Sequence, residues 1–143
     1  MKKYLKLITI ITAFMLLSTK SFAEPYYSVI DMLVGKTWKM EVPAGQDSYG
    51  SYIKTFTTTT YTTIFQLTGN QPIVHTYQYH LSNTIETSFD ENKLGDPSFE
   101  KYMVIRVDEQ DEDIHVHEII SISPTHLELK HVVTGSIIKY NAE

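Results

Sequence analysis

Alternation of apolar and polar residues, in segments separated by turns, constrains the fold of this chain more than any other feature. In residues 36–42, Trp38, Met40 and Val42 alternate with polar residues. Residues two apart share one face of a β-strand, so this pattern predicts a strand with one buried face. The same period, or the β-branched composition typical of strands, recurs in seven further segments, which are 51–57, 60–67, 73–81, 101–107, 114–123, 126–133 and 136–142.

Most of the connections between these segments are too short to cross a sheet, so neighbouring strands must be antiparallel. The exception is the stretch 82–100, which has room for a short strand near residues 86–89. Residues 26–34 have apolar side chains at helical spacing and are followed by Gly35, which predicts one or two helical turns.

We therefore predict an all-β, up-and-down antiparallel barrel of about eight strands with a short N-terminal helix. A two-sheet sandwich is the alternative, and a closed barrel is favoured because closure leaves no unpaired edge. The predicted core consists of Trp38, Met40, Phe56, Leu67, Ile105, Val107, Ile120, Ile122, Leu127, Leu129 and Ile138.

Residues 1–23 have the features of an export signal. Two lysines near the start supply positive charge, residues 5–17 are largely apolar, and Ser21 and Ala23 are small residues at the spacing that a signal peptidase needs. No later segment approaches the roughly 20 apolar residues of a membrane-spanning helix. We expect an exported protein, periplasmic or secreted, without a stable membrane span, whose working part is one domain at 24–143.

The charge balance and the lack of cysteine exclude several classes of protein. The chain has a formal net charge of −5, and loss of residues 1–23, which carry four lysines and no acid, would bring it to −9. So acidic a domain repels phosphate backbones, which excludes nucleic acid as a partner. A chain with no cysteine has no disulfide, thiolate metal site, cysteine nucleophile or lipidated cysteine anchor.

Several short motifs suggest a family. They are Leu-Val-Gly-Lys-Thr-Trp at 33–38, Tyr-His-Leu-Ser-Asn-Thr at 79–84, Phe-Asp at 89–90, Glu-Ile-Ile-Ser-Ile at 118–122 and Leu-Glu-Leu-Lys at 127–130. Over residues 30–142 the chain resembles the small exported lipocalin-like domain proteins of Gram-negative bacteria. The resemblance implies a barrel whose base is closed by Gly35 and Trp38.

The chain departs from lipocalins proper at two points. Lipocalins have Gly-x-Trp, whereas two residues separate Gly35 from Trp38 here. They also commonly place an arginine late in the chain to stack on that Trp, but the only arginine here is Arg106. Lys139 is the residue that could take its place, although lysine offers a point charge rather than a planar group.

Aromatic residues of two adjacent predicted strands suggest a ligand site. If His75, Tyr77 and Tyr79 face inward, Tyr61 and Phe65 of the preceding strand could join them across the hairpin. Tyrosine combines an apolar ring with one polar atom, so these five residues would suit a small apolar or aromatic ligand. The alternative is that the rings fill the core or brace the outside of a small barrel.

His115 and His117 are the candidates for metal binding, because residues two apart on a strand could share one Zn²⁺ or Cu²⁺. A zinc site needs three or four ligands, so a solvent-facing pair is the favoured interpretation and we predict no metal and no cofactor. Further ligands would have to come from the other histidines, His75, His80, His126 and His131. The acidic run 108–113 lacks the glycine and glutamate of an EF-hand and is interpreted as a solvated turn.

No Gly-x-Ser-x-Gly or His-Glu-x-x-His motif occurs, so the sequence gives no signal of catalysis. We predict an exported, non-enzymatic binding protein that holds a small apolar or aromatic ligand inside the barrel. A protein-binding inhibitor, immunity factor or envelope-assembly factor that acts through residues 82–100 is the alternative. A metal-binding barrel built on His115 and His117 is a third hypothesis.

Overall fold

A computed structural model of the protein describes residues 26–43, 50–107 and 113–143. The predicted export signal and most of the acidic run lie outside the described residues. Within these ranges the chain forms a helix, α1 (Val29–Leu33), one turn of 3-10 helix (Glu91–Lys93), and eight strands, which are β1 (Thr37–Met40), β2 (Ser51–Phe56), β3 (Thr60–Gln66), β4 (Ile73–Ser82), β5 (Tyr102–Arg106), β6 (Ile114–Ile122), β7 (His126–His131) and β8 (Ile137–Ala142).

The eight strands form one closed barrel in sequence order. Each strand pairs antiparallel with the next, and β1 pairs with β8, where Trp38 lies opposite Ala142. The predicted fold class is therefore confirmed, and the strand bounds agree with the predicted ones to within a few residues. The short strand considered near residues 86–89 is wrong, because these residues belong to an irregular connection.

The helix α1 covers one end of the barrel. Ser28 caps it, since its hydroxyl accepts a hydrogen bond from the Asp31 N–H (3.2 Å) and the Asp31 carboxylate accepts one from the Ser28 N–H. Val29, Ile30 and Leu33 are buried in the main core. We name this end the closed end and define it by Leu33, Trp38, Leu81, Met103 and Leu127, all of which are almost completely buried.

Trp38 lies in the closed end, as the family resemblance implies. Its indole Nε1 donates a hydrogen bond to the carbonyl oxygen of Leu33 (3.0 Å). The cation near the indole ring is Lys36, whose Nζ lies 5.6 Å from the ring centre. The suggestion that Lys139 takes this place is wrong, because its exposed ammonium lies 3.8 Å from the carboxylate of Glu128 instead.

Most of the predicted core is buried or partly buried, with two exceptions. Val107 and Ile120 are 37% and 45% exposed. Val107 follows the last residue of β5, and Ile120 lies at a β-bulge, where the pairing of β6 with β7 shifts between Ile119 and Ser121. A bulge adds one residue to one strand and so reverses the phase of the alternation. The other predicted members are buried or partly buried, and these are Trp38, Met40, Phe56, Leu67, Ile105, Ile122, Leu127, Leu129 and Ile138.

A second, smaller apolar cluster lies on the outer face of the barrel. Tyr102, Val104 and Val116 are buried there, although they alternate with inward residues such as Met103. Phe89, from the long connection between β4 and β5, packs against this cluster. The connection therefore covers the outside of the barrel.

Arg106 and His80 hold the connection against the barrel. The Arg106 guanidinium lies 4.3 Å from the centre of the Phe89 ring and donates a hydrogen bond to the Glu91 carboxylate (2.9 Å). Nε2 of the buried His80 accepts a hydrogen bond from the Asp90 N–H (3.2 Å). The only arginine of the chain thus fixes this connection and does not stack on the tryptophan.

Candidate functional site

The barrel interior contains a cavity of about 390 Å³ at the end opposite α1. We name this end the open end and define it by the residues that line the cavity. They come from seven strands or their ends and are Met40, Tyr52, Lys54, Tyr61, Tyr77, Val107, His115, His117, Ile138 and Tyr140. The volume lies within the roughly 300–1,000 Å³ range of small-molecule sites. This cavity is the candidate functional site.

A second cleft, of about 460 Å³, lies beside the ends of β1 and β2. None of the described residues in its lining has an aromatic ring or a buried side chain. These residues are Lys39, Met40, Val42, Gly50, Ser51, Gln66 and Thr68. Small-molecule sites combine apolar surface with a few convergent polar groups. The open-end cavity has this combination and the second cleft does not.

Two of the five predicted ligand residues meet at the cavity. Tyr61 and Tyr77 lie opposite each other on β3 and β4, with ring centres 5.4 Å apart. Tyr79 is buried in the core below, where its hydroxyl donates a hydrogen bond to the Thr57 carbonyl oxygen (2.8 Å). Its ring centre lies 6.3 Å from that of Tyr61, so it supports the cavity without lining it.

The other two predicted residues lie outside the cavity lining. Phe65 shares the inward phase of β3 with Tyr61, and its ring centre lies 6.4 Å from that of Tyr52. His75 is exposed, with its ring stacked near Tyr77 at 6.1 Å. His75 instead lines a separate depression of about 330 Å³, together with Thr60, Gln78 and Arg106. The ligand role predicted for Phe65 and His75 therefore stays a prediction.

Lys54 is the most unusual residue of the site, and sequence reasoning did not select it. It lies on β2 between Tyr52 and Phe56, and all three share the inward phase. A lysine at an inward position of an alternating strand was the signal that could have identified it. Its side chain is only 5% exposed.

The Lys54 ammonium has aromatic neighbours and no acidic partner among the described residues. Its Nζ lies 4.7 Å from the centre of the Tyr61 ring and 5.4 Å from that of Tyr140. None of the ion pairs in the described ranges includes it. Burial lowers the pKa of Lys54 to about 8. A cation taken out of water without a counter-charge is costly even when ring faces attract it.

Two buried polar atoms of the cavity have no hydrogen-bond partner among the described residues. They are the hydroxyl oxygen of Tyr140 and Nδ1 of His117. Burial, followed by the charge of Lys54, lowers the pKa of His117 to about 3, so the ring is neutral at neutral pH. Burial raises the pKa of Tyr140, so its phenol stays protonated. Buried polar groups are normally paired, and those that are not call for an explanation.

The structure brings a third histidine to the predicted pair. His131 of β7 lies opposite His117 in the register, and their ring centres are 5.0 Å apart. The His131 ring is also 5.3 Å from that of His115. Nevertheless, the described part of the chain contains no group of three metal-ligating side chains with metal-binding geometry. Nδ1 of His131 accepts a hydrogen bond from the Thr134 N–H (3.2 Å), so one nitrogen of this ring is already occupied.

Comparison of the chain with known proteins found no matching family model, no matching curated protein and no matching solved structure. The lipocalin-like family therefore stays a prediction from the motifs. None of the helices in the described ranges is long and apolar enough to cross a membrane.

Proposed function

We propose that the protein is an exported, non-enzymatic, lipocalin-like binding protein that holds a small apolar or aromatic molecule in the open end of its barrel. The observation that carries this proposal is the cavity of about 390 Å³ inside a closed barrel. Eight-stranded barrels have an interior just wide enough to be filled by side chains or to hold one small ligand. Here the closed end is filled and the open end is not.

The lining of the cavity suits an aromatic guest. Tyr52, Tyr61, Tyr77 and Tyr140 contribute four rings from four strands, with Ile138 among the aliphatic neighbours. Aromatic rings pair favourably at centre-to-centre distances of about 4.5–7 Å. A flat apolar molecule between these rings would bury most of its surface.

Fluorescence titration of the purified domain with N-phenyl-1-naphthylamine, a neutral aromatic probe, tests this proposal. We expect saturable binding at one site per chain. Ile138→Trp should abolish binding, because the larger side chain fills the cavity. Ile137→Trp is the matched control, because the neighbouring Ile137 side chain is 53% exposed on the outer phase of β8. The proposal would be contradicted if the unmodified domain bound neither this probe nor an aromatic acid, or if Ile138→Trp left the binding unchanged.

Export is part of the proposal and rests on the sequence of residues 1–23. Fractionation of host cells, with N-terminal sequencing of the purified protein, tests it. We expect the protein in the periplasmic or extracellular fraction with Glu24 as its first residue. A cytoplasmic protein that retains residues 1–23 would show that the segment is not an export signal.

The protein-binding alternative would use the long connection between β4 and β5. Phe89 is turned towards the barrel, whereas Ile85 is 56% exposed. Native mass spectrometry of the protein purified from its own host separates the two functions. A retained small molecule supports the binding-protein proposal, and a retained protein that Ile85→Ser releases supports the alternative.

A further inference from the structure

Three polar groups converge on one cavity, and each belongs to a residue that is at least nine-tenths buried. Among the described residues, the hydroxyl of Tyr140 and Nδ1 of His117 have no hydrogen-bond partner, and the ammonium of Lys54 has no acidic partner. They come from β2, β8 and β6. Sites at which distant strands leave several buried polar atoms unsatisfied together are expected where a ligand supplies the missing partners.

We propose that the cavity recognises the carboxylate of a small apolar or aromatic acid, with Lys54 as its counter-charge and Tyr140 and His117 as the neighbouring polar contacts. This inference rests on the proposed function, because it names the chemical class of the ligand in the same cavity. The rings of the lining would surround the apolar part of the acid, and the carboxylate would face the ammonium.

The charge of the cavity favours an anion over a cation. At neutral pH the Lys54 side chain carries a positive charge. The phenol of Tyr140 and the imidazole of His117 are both neutral. None of the described residues that line the cavity carries a carboxylate. After burial, the charge of Lys54 is the next cause of the low pKa of His117, which shows that the ammonium and the imidazole face the same cavity. A neutral ligand would leave the buried charge without a counter-charge.

A carboxylate matches these groups better than a phosphate does. One ammonium offsets the single charge of a carboxylate, whereas a phosphate dianion would bring a second charge. The described lining residues include no second permanent cation that could pair with it. The two carboxylate oxygens can accept from the Lys54 ammonium and the Tyr140 hydroxyl, and from His117 when its proton is on Nδ1. Charge-assisted hydrogen bonds of this kind are stronger than those between neutral groups.

Calorimetric titration with 2-naphthoate and 2-naphthamide tests the inference, because these two probes share their ring system and differ in charge. We expect the unmodified domain to bind the acid at least about tenfold more tightly than the amide. Lys54→Met should remove this preference. Lys39→Met is the matched control, since it removes an exposed lysine, paired with Glu143, from outside the open-end cavity. It should keep the preference.

A pH series sharpens the test. Above about pH 8 the free protein increasingly carries a neutral Lys54, so the affinity for naphthoate should fall while that for naphthamide stays constant. The other titratable groups that face the cavity are Tyr52, Tyr61, Tyr77, Tyr140, His115 and His117. The same series on Lys54→Met separates their contribution from that of the ammonium.

The two proposals fail in distinguishable ways. If the unmodified domain binds the neutral probe N-phenyl-1-naphthylamine but prefers naphthoate no more than naphthamide, the inference is overturned and the proposed function stands. If neither the neutral probe nor the acid binds, the proposed function fails as well. Should Lys54→Met not fold, Lys54→Gln replaces it, and the comparison of acid with amide on the unmodified domain decides the question by itself.

Discussion

The closed and open ends of the barrel treat buried polar atoms in opposite ways. At the closed end, Nε1 of Trp38 donates to a backbone carbonyl of the chain segment that leads from α1. Towards the same end, the Tyr79 hydroxyl donates to the carbonyl of Thr57. At the open end, the buried Tyr140 hydroxyl and His117 Nδ1 have no hydrogen-bond partner in the part of the chain that the structure describes.

Because of this difference, the closed end contributes to the stability of the fold, whereas the open end lowers it. A paired buried donor contributes modestly to folding, whereas an unpaired one costs its full desolvation free energy. The closed end is filled by α1 and large side chains, and the open end keeps a cavity beside a buried ammonium. Such costs persist at sites where a ligand offsets them, which is why the open end is the place to look for function.

Trp38→Ala should have the largest effect on stability. The indole is fully buried, so its loss leaves a large void at the closed end and an unpaired carbonyl at Leu33. We expect the free energy of unfolding to fall by about 3–5 kcal/mol, measured by urea denaturation followed by circular dichroism. Tyr52→Ala at the open end is the control, with an expected loss below about 2 kcal/mol because its ring already borders a cavity. Equal losses would show that the two ends do not differ.

Lys54→Met should stabilise the protein, in the opposite direction to Trp38→Ala. Burial lowers the pKa of Lys54 from 10.5 to about 8, so the native state disfavours the charged form that is present at neutral pH. A shift of this size corresponds to about 3 kcal/mol, which is the upper limit of the gain at pH 7. Equilibrium unfolding of both proteins measures it.

The gain should depend on pH in a definite direction. Between pH 8 and 10.5 the unfolded chain binds more protons than the native state at this residue, so the unmodified protein gains stability as pH rises through this window. The difference from Lys54→Met should therefore shrink from pH 8 to 10.5. Lys39→Met is the control and should show no such trend, because its ammonium is exposed and paired with Glu143. A difference that is constant with pH would mean that burial does not disfavour the Lys54 charge.

The alternation of residues was sufficient to predict the barrel, because faces repeat every two residues along a strand. It failed where the phase changes. The alternation places Ile120 in the core, but the bulge between Ile119 and Ser121 turns this residue outward. No local sequence pattern marks a bulge. Val104 and Val116 are apolar on the outer phase, and this was the sequence signal that the long connection covers that face.

The site was predicted in part, for reasons that concern individual residues. Tyr61 and Tyr77 follow from the inward phase of a single hairpin, which sequence order brings together. Lys54 has the same phase on β2, but lysine is seldom fully buried in proteins, so its residue type does not indicate a place in the interior. His131 could not be assigned to the side of His117 because the bulge sets the register of β6 and β7.

Tyr79→Phe and Tyr140→Phe form the finest test of the difference between the two ends, because each removes one hydroxyl from a buried ring. Tyr79→Phe leaves the Thr57 carbonyl without its partner and should lower the free energy of unfolding by about 1 kcal/mol. Tyr140→Phe removes a hydroxyl that has no partner, so it should be neutral or stabilise the protein by up to about 1 kcal/mol. Urea denaturation of the two variants and the parent measures both changes. Opposite signs would confirm that hydroxyls are paired towards the closed end and unpaired at the open end, whereas an equal loss in both would mean that the Tyr140 hydroxyl has a partner in solution.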